Sequence, residues 1–133
     1  MEKRTVNPWS WQDQFAFSQA IEVSGTSRIL YCAGQTSVNA EGKAIHVGDM
    51  RAQVELAFKN LESVLESAGF TLGDVTRLNY YTTDVDSFFG AFEVVATRLA
   101  QGACQPCSTL LGVSRLAFPE LLIEIEATAV KQG

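Results

Sequence analysis

Met50, Val54, Ala57, Leu61, Val64 and Ala68 recur four and three residues apart, which places them on one stripe of a helix. Asp49 is the predicted N-cap, although Ala at position 52 precludes a full capping box, and Gly69 supplies the stop. A second helix is expected from Asp86 or Ser87 to Gly102, with Phe88, Phe92, Val95 and Leu99 on its buried side. Six shorter apolar runs have strand length. The first two, "FAFSQAIEV" (15–23) and "RILYCAGQ" (28–35), flank "SGTS", a hairpin signal in which Gly25 can take a positive φ. "EGKAIHV" (41–47) predicts a short third strand and "VTRLNYYTT" (75–83) a fourth. "TLLGVSRL" (109–116) and "LLIEIEATAV" (121–130) complete the set, joined by a loop at Phe118-Pro119.

The order β-β-β-α-β-α-β-β implies an α+β fold with one mixed six-stranded sheet and two helices on one face. Strand alternation in the last run puts Leu121, Ile123, Ile125, Ala127 and Ala129 on one side. Leu122, Glu124, Glu126, Thr128 and Val130 take the other, which the helices leave bare. A half-apolar, uncovered sheet face is expected to become a subunit interface.

Composition narrows this picture. The chain has 133 residues, 47% hydrophobic and 19% charged, which suits a single domain over 1–133 with residues 1–14 as an N-terminal arm. No apolar run approaches the ~18 residues of a membrane span, so no membrane partner is expected. The basic start "MEKR" lacks an apolar stretch behind it, and three cysteines is an odd number, so a reduced, cytoplasmic protein is the expectation. A net charge of −5, with ten scattered Lys and Arg, argues against a nucleic-acid partner.

Cys104 and Cys107 stand in a C-x-x-C spacing, which suits a redox dithiol, half of a zinc site, or no chemistry at all. The remaining metal-ligand candidates, Cys32 and His46, lie far away in sequence, and no metal or other cofactor is expected. Cys32 reads as a buried strand residue, and His46 as a surface or hydrogen-bonded histidine. Glu124 and Glu126 share a strand face and could both be solvated or paired, for instance with Arg115. Trp9 and Trp11 could anchor the arm or roof a cleft beside Phe17.

"CAGQ", "GDMRAQVELAFKNLESVLESAGFTLGDVTRLNYYTTDVDSF", "P-x-x-T-L-L-G-V-S-R-L" and "IEIEATAV" together resemble the Rid family, also called YjgF-type, over residues 15–131. The resemblance implies a chorismate-mutase-like fold and a homotrimer whose sheets line a central barrel. It also implies small-molecule pockets in the clefts between neighbouring subunits. The family activity it implies is hydrolysis of imine or enamine intermediates, such as 2-aminoacrylate, to keto acids and ammonia.

In the deaminating members a P-A-R-S motif supplies an Arg that forks onto the substrate carboxylate. An ungapped match puts Cys107 at the Ala and Ser108 at the Arg; a one-residue shift puts Cys107 at the Arg, and neither supplies a guanidinium. A Tyr of the first strand is replaced by Phe17 and a pocket Asn by Phe92, whereas Gly34 is kept beside Ala33. Glu124 matches the Glu that assists the hydrolytic water. The resemblance thus implies Glu124 as the catalytic candidate, with Phe17, Ala33, Gly34, Phe92, Cys107 and Ser108 lining the site. It also places the C-x-x-C in a loop running into a strand, away from the helix N-terminus that activates redox thiols. An imine hydrolase that does not act on imino acids of the 2-aminoacrylate type is one expectation. A non-catalytic trimer that binds a metabolite or a protein is the alternative, and a nuclease is disfavoured by charge.

Overall fold

A computed structural model describes residues 1–25 and 27–133; Thr26, in the predicted turn, lies outside the described residues. The long helix forms as its periodicity dictates. Helix α1 (Met50–Ser67) begins where Asp49 accepts the backbone N–H of Ala52 at 3.0 Å, and Gly69 ends it with φ +80°. Its fully buried apolar side chains are Val54, Ala57, Phe58, Leu61 and Leu65. Val64 and Ala68, placed on the stripe by counting, lie at its margin.

The N-terminal arm is not an arm. Glu2–Val6 is strand β1, and it pairs antiparallel with β2 (Ala20–Ser24), with Arg4 directly opposite Glu22 and their side chains 3.3 Å apart. A run as polar as "EKRTV" carries no alternation to announce a strand. The strand expected over 15–23 starts only at Ala20, because a 3-10 turn over Trp11–Phe15 ends in left-handed Ala16 (φ +59°). Gly25 makes the turn (φ +86°), but β2 pairs with β1, and β3 (Ser27–Tyr31) pairs with the last strand.

Strand β4 (Gln35–Thr36) continues β3 along the same edge after an interruption at 32–34. The third strand expected over 41–47 is absent as a strand. There the Asn39 side chain accepts the N–H groups of Glu41 and Lys43, both at 3.0 Å, and Gly42 turns the chain at φ +78°. Local side-chain capping displaces the ladder, leaving only a Val38–Ala44 bridge.

The remaining elements are β5 (Val75–Thr82), α2 (Val85–Gly90), α3 (Phe92–Gln101), β6 (Leu110–Gly112) and β7 (Ile123–Gln132). The second predicted helix is thus two. Asp84, two residues before the predicted start, caps the Ser87 N–H at 3.0 Å, and the helix breaks at Ala91 after Gly90. The main sheet has five strands, ordered β3-β7-β5-β6 with β4 also on β7, and only β5-β6 is parallel. The expected six-stranded sheet is therefore a five-stranded sheet plus a separate two-stranded ribbon: β2 is drawn off by β1, the 41–47 run forms no strand, and the 28–35 run is split into β3 and β4.

Helix α1 buries its stripe against Leu78 of β5 and Ile123, Ile125, Ala127 and Ala129 of β7. Gln53 is buried at the start of that helix. It donates to the carbonyls of His46 (3.1 Å) and Glu120 (2.9 Å) and accepts the Leu122 N–H at 2.8 Å. One amide therefore ties the loop before α1 to the segment that leads into β7. On the opposite sheet face Ile29, Tyr31 and Leu111 are 52%, 78% and 49% exposed.

Candidate functional site

Strand parity separates the predicted site residues into two groups. Glu124 lies in β7 between Thr36 of β4 and Tyr81 of β5, on the sheet face that no helix covers. The interruption between β3 and β4 brings Gly34 against it, so closely that a Cβ on Gly34 would lie 1.8 Å from Glu124 Oε2. Only a glycine admits the carboxyl there. Ala33, beside it, is exposed and offers its carbonyl to Gln35 Nε2 at 3.1 Å.

Partial burial raises the Glu124 carboxyl above its ordinary value, and the negative charge of Glu126 raises it further. Glu126 does not pair with Arg115. It accepts from the Tyr81 hydroxyl and from Asn79 Nδ2 (3.3 Å), while Arg115 turns to the carbonyls of Leu116 (3.3 Å) and Ala117 (3.4 Å). The hydrogen bond to Glu126 also holds the Tyr81 hydroxyl in its protonated form, pushing its ionisation upward.

The second group lies on the helix-covered face. Phe17, Phe92 and Ser108 line a cavity of about 170 Å³. Its walls also include Phe15, Tyr80, Phe88 and Phe89, closed at one side by Leu110. The rings meet edge to face: Phe15–Phe92 at 6.4 Å, Phe88–Phe92 at 5.8 Å, and Trp11 against Phe17 at 5.8 Å on the rim. Trp9 contributes nothing to this cluster and is 59% exposed.

Sequence reading missed Tyr80, Phe15, Phe89 and Leu110 as parts of this wall. The signal for Tyr80 was present, because β5 alternates Leu78, Tyr80 and Thr82 on its buried side. Phe15 and Phe89 carried none, since their placement depends on the 3-10 turn and on the helix break at Ala91.

Cys107 is held away from the cavity lining. Its thiol faces the Thr76 carbonyl at 3.1 Å, and its own N–H and C=O bond to Thr76 (2.9 Å) and Leu78 (3.0 Å). Cys104, just past the C-terminal end of α3, points at the Val75 carbonyl at 3.6 Å, and burial pushes its thiol up to about 12. Both cysteines are free, and burial disfavours the thiolate of Cys104. Cys32 is buried, as expected for a strand residue, although it falls in the interruption after β3. His46 adopts φ +61° in the loop before α1, where its backbone carbonyl rather than its imidazole is used. Among the described residues no group of three His, Cys, Asp or Glu side chains could hold a metal ion, and no helix is long and apolar enough to cross a membrane.

Residues 12–131 match the family described as Endoribonuclease L-PSP. The chain is 34% identical over 116 residues to a RutC family protein of Pyrococcus horikoshii, covering 87% of each. It is 28% identical over 129 residues to a 2-iminobutanoate/2-iminopropanoate deaminase of Dermatophagoides farinae, covering 96% of each. Among solved structures, the protein YyfB of the Rid family from Yersinia pestis superposes with a TM-score of 0.82 at 38% identity, over 97% of this chain and 98% of that one. The YjgF gene product of E. coli superposes at 0.68 with 25% identity, over 87% and 88%. The sheet, the helix pair and the full-length match agree: the chain belongs to the Rid (YjgF, endoribonuclease L-PSP) family and has its chorismate-mutase-like α+β fold.

Proposed function

We propose that this protein is a homotrimeric hydrolase for the C=N bond of a small imine-type metabolite, with sites shared between neighbouring subunits and Glu124 as the proton-handling group. The observation that carries the reading is the Glu124 carboxyl, partly desolvated and lodged over Gly34. A carboxyl held there has a raised affinity for a proton, which suits general acid–base work. In the reaction, Glu124 takes a proton from water as its oxygen bonds to the imine carbon. Passing that proton to the nitrogen gives a carbinolamine; Glu124 then takes the hydroxyl proton and delivers it to the nitrogen as the C–N bond breaks, so that a carbonyl compound and an amine or ammonia leave. The separation of Glu124 from the Ser108 cavity within one chain supports completion of the site by a second copy. The exposed Ile29, Tyr31 and Leu111 on the open face support the same assembly. Ser108 offers no cation, so imino acids of the 2-aminoacrylate type are poor substrates. Two lost hydrogen bonds to a carboxylate, each worth ~1.5–3 kcal/mol, correspond to about a hundredfold or more in rate.

The uncharged lining of the aromatic cavity favours one second reading, a trimer that holds a small molecule without turning it over. Ammonia or amine release decides between them, measured on enzymatically generated imines with and without an α-carboxylate. Turnover of the carboxylate-free imine, reduced about a hundredfold or more in Glu124→Gln, is the expected result. Equal rates for the variant and the parent would remove Glu124 from the mechanism.

A further inference from the structure

Tyr80 has a role in the aromatic cavity that proton handling by Glu124 leaves unused. Its side chain is only 5% exposed and belongs to the cavity wall. The neighbouring hydroxyls on β5 are occupied: Tyr81 donates to Glu126, and Thr82 donates to the Leu122 carbonyl at 2.7 Å. The Tyr80 hydroxyl bonds to no described residue, yet no side-chain polar atom sealed from solvent among them lacks a partner. That hydroxyl is therefore not sealed from solvent, and the residue that carries it lines the cavity. Ser108 also lines the cavity, and its hydroxyl has no hydrogen-bond partner among the described residues. Burial pushes the Tyr80 ionisation far upward, so the group remains a neutral donor and acceptor.

Size and chemistry then limit the occupant. About 170 Å³ is close to the ~150 Å³ of an apolar cavity that accepts benzene. The walls carry five Phe rings and Leu110, and no Lys, Arg, His, Asp or Glu. Placing an ion there would strip its water without a counter-charge. We propose that this cavity binds a small uncharged molecule with a ring-sized apolar body and one polar end, the ring held edge to face by the phenylalanines and the polar atom hydrogen-bonded to the Tyr80 hydroxyl. The assignment deepens the reading above and rests on it only in treating the Ser108 cavity as part of the functional site.

The test is NMR titration of the full-length protein with phenol, benzene, benzoate and tetramethylammonium as probes. Phenol is expected to bind saturably, with shifts centred on Tyr80 and Phe92. Tyr80→Phe should weaken phenol about three- to tenfold while leaving benzene unchanged, as expected for one neutral hydrogen bond. Ser108→Leu, which fills the cavity, should abolish both. Equal phenol affinity in Tyr80→Phe, tighter binding of either ion, or no phenol binding at tens of millimolar would overturn the proposal. Glu124-dependent imine turnover without phenol binding sinks the ligand class and spares the hydrolase reading. Tyr80-dependent phenol binding without turnover does the reverse.

Discussion

Glu124 and Glu126 are two residues apart on one strand and have different fates, for reasons visible in their neighbours. Glu126 accepts hydrogen bonds from Tyr81 and Asn79, whereas Glu124 faces Gly34, which has no side chain to offer it anything. Burial is the larger cause of the raised Glu124 carboxyl and the Glu126 charge the smaller. Glu126→Gln should therefore lower the Glu124 titration midpoint without returning it to the ordinary range, as read by carboxyl carbon NMR. The sign for folding follows. A carboxyl raised in the folded state contributes fully below its unfolded value, and that contribution is lost as pH climbs through the folded one. At this scale the sequence was partly legible. Resemblance singled out Glu124, Gly34, Phe17, Phe92 and Ser108, but the Glu126–Tyr81 bond requires the β5–β7 register, which no local pattern encodes.

Elements with strong periodicity were readable and those defined by partners were not. Helix α1 and strand β7 follow from their apolar spacing, the latter to within two residues at each end. Strand β1 and the turn at Asn39 depend on a remote partner and on side-chain capping, and neither leaves an apolar signature. Gln53 shows how much one polar residue inside a helix can fix. Gln53→Leu preserves approximate volume but orphans the Glu120 carbonyl and the Leu122 N–H, while the His46 carbonyl keeps the Asp49 N–H at 3.1 Å. Such groups cost ~1–3 kcal/mol each when buried without a partner, partly relieved by relaxation, so a loss of about 2–4 kcal/mol is expected in urea unfolding.

At the scale of the whole molecule, the sheet has one finished face and one unfinished one. Helices cover the first, while Ile29, Tyr31 and Leu111 stay open on the second. Closing three such faces around a common axis would bury them together. Light scattering is expected to give three times the 14.5 kDa chain mass, and Tyr31→Glu should shift the population to single chains by placing like charges at the axis. A single-chain mass for the parent at micromolar concentration would exclude that assembly.

The contact between Gly34 and Glu124 also constrains how this protein can change by descent. With a carboxyl 1.8 Å from the place a methyl would take, alanine at 34 can be accommodated only if the Glu124 side chain swings away. The two positions are therefore epistatic. Gly34→Ala would vacate the carboxyl's place while leaving the fold standing, so lineages under selection for that carboxyl are locked to glycine. Once Glu124 has been replaced by a short residue, position 34 is released and free to drift. A side chain at 34 would then mark a lineage in which that carboxyl has been displaced or lost.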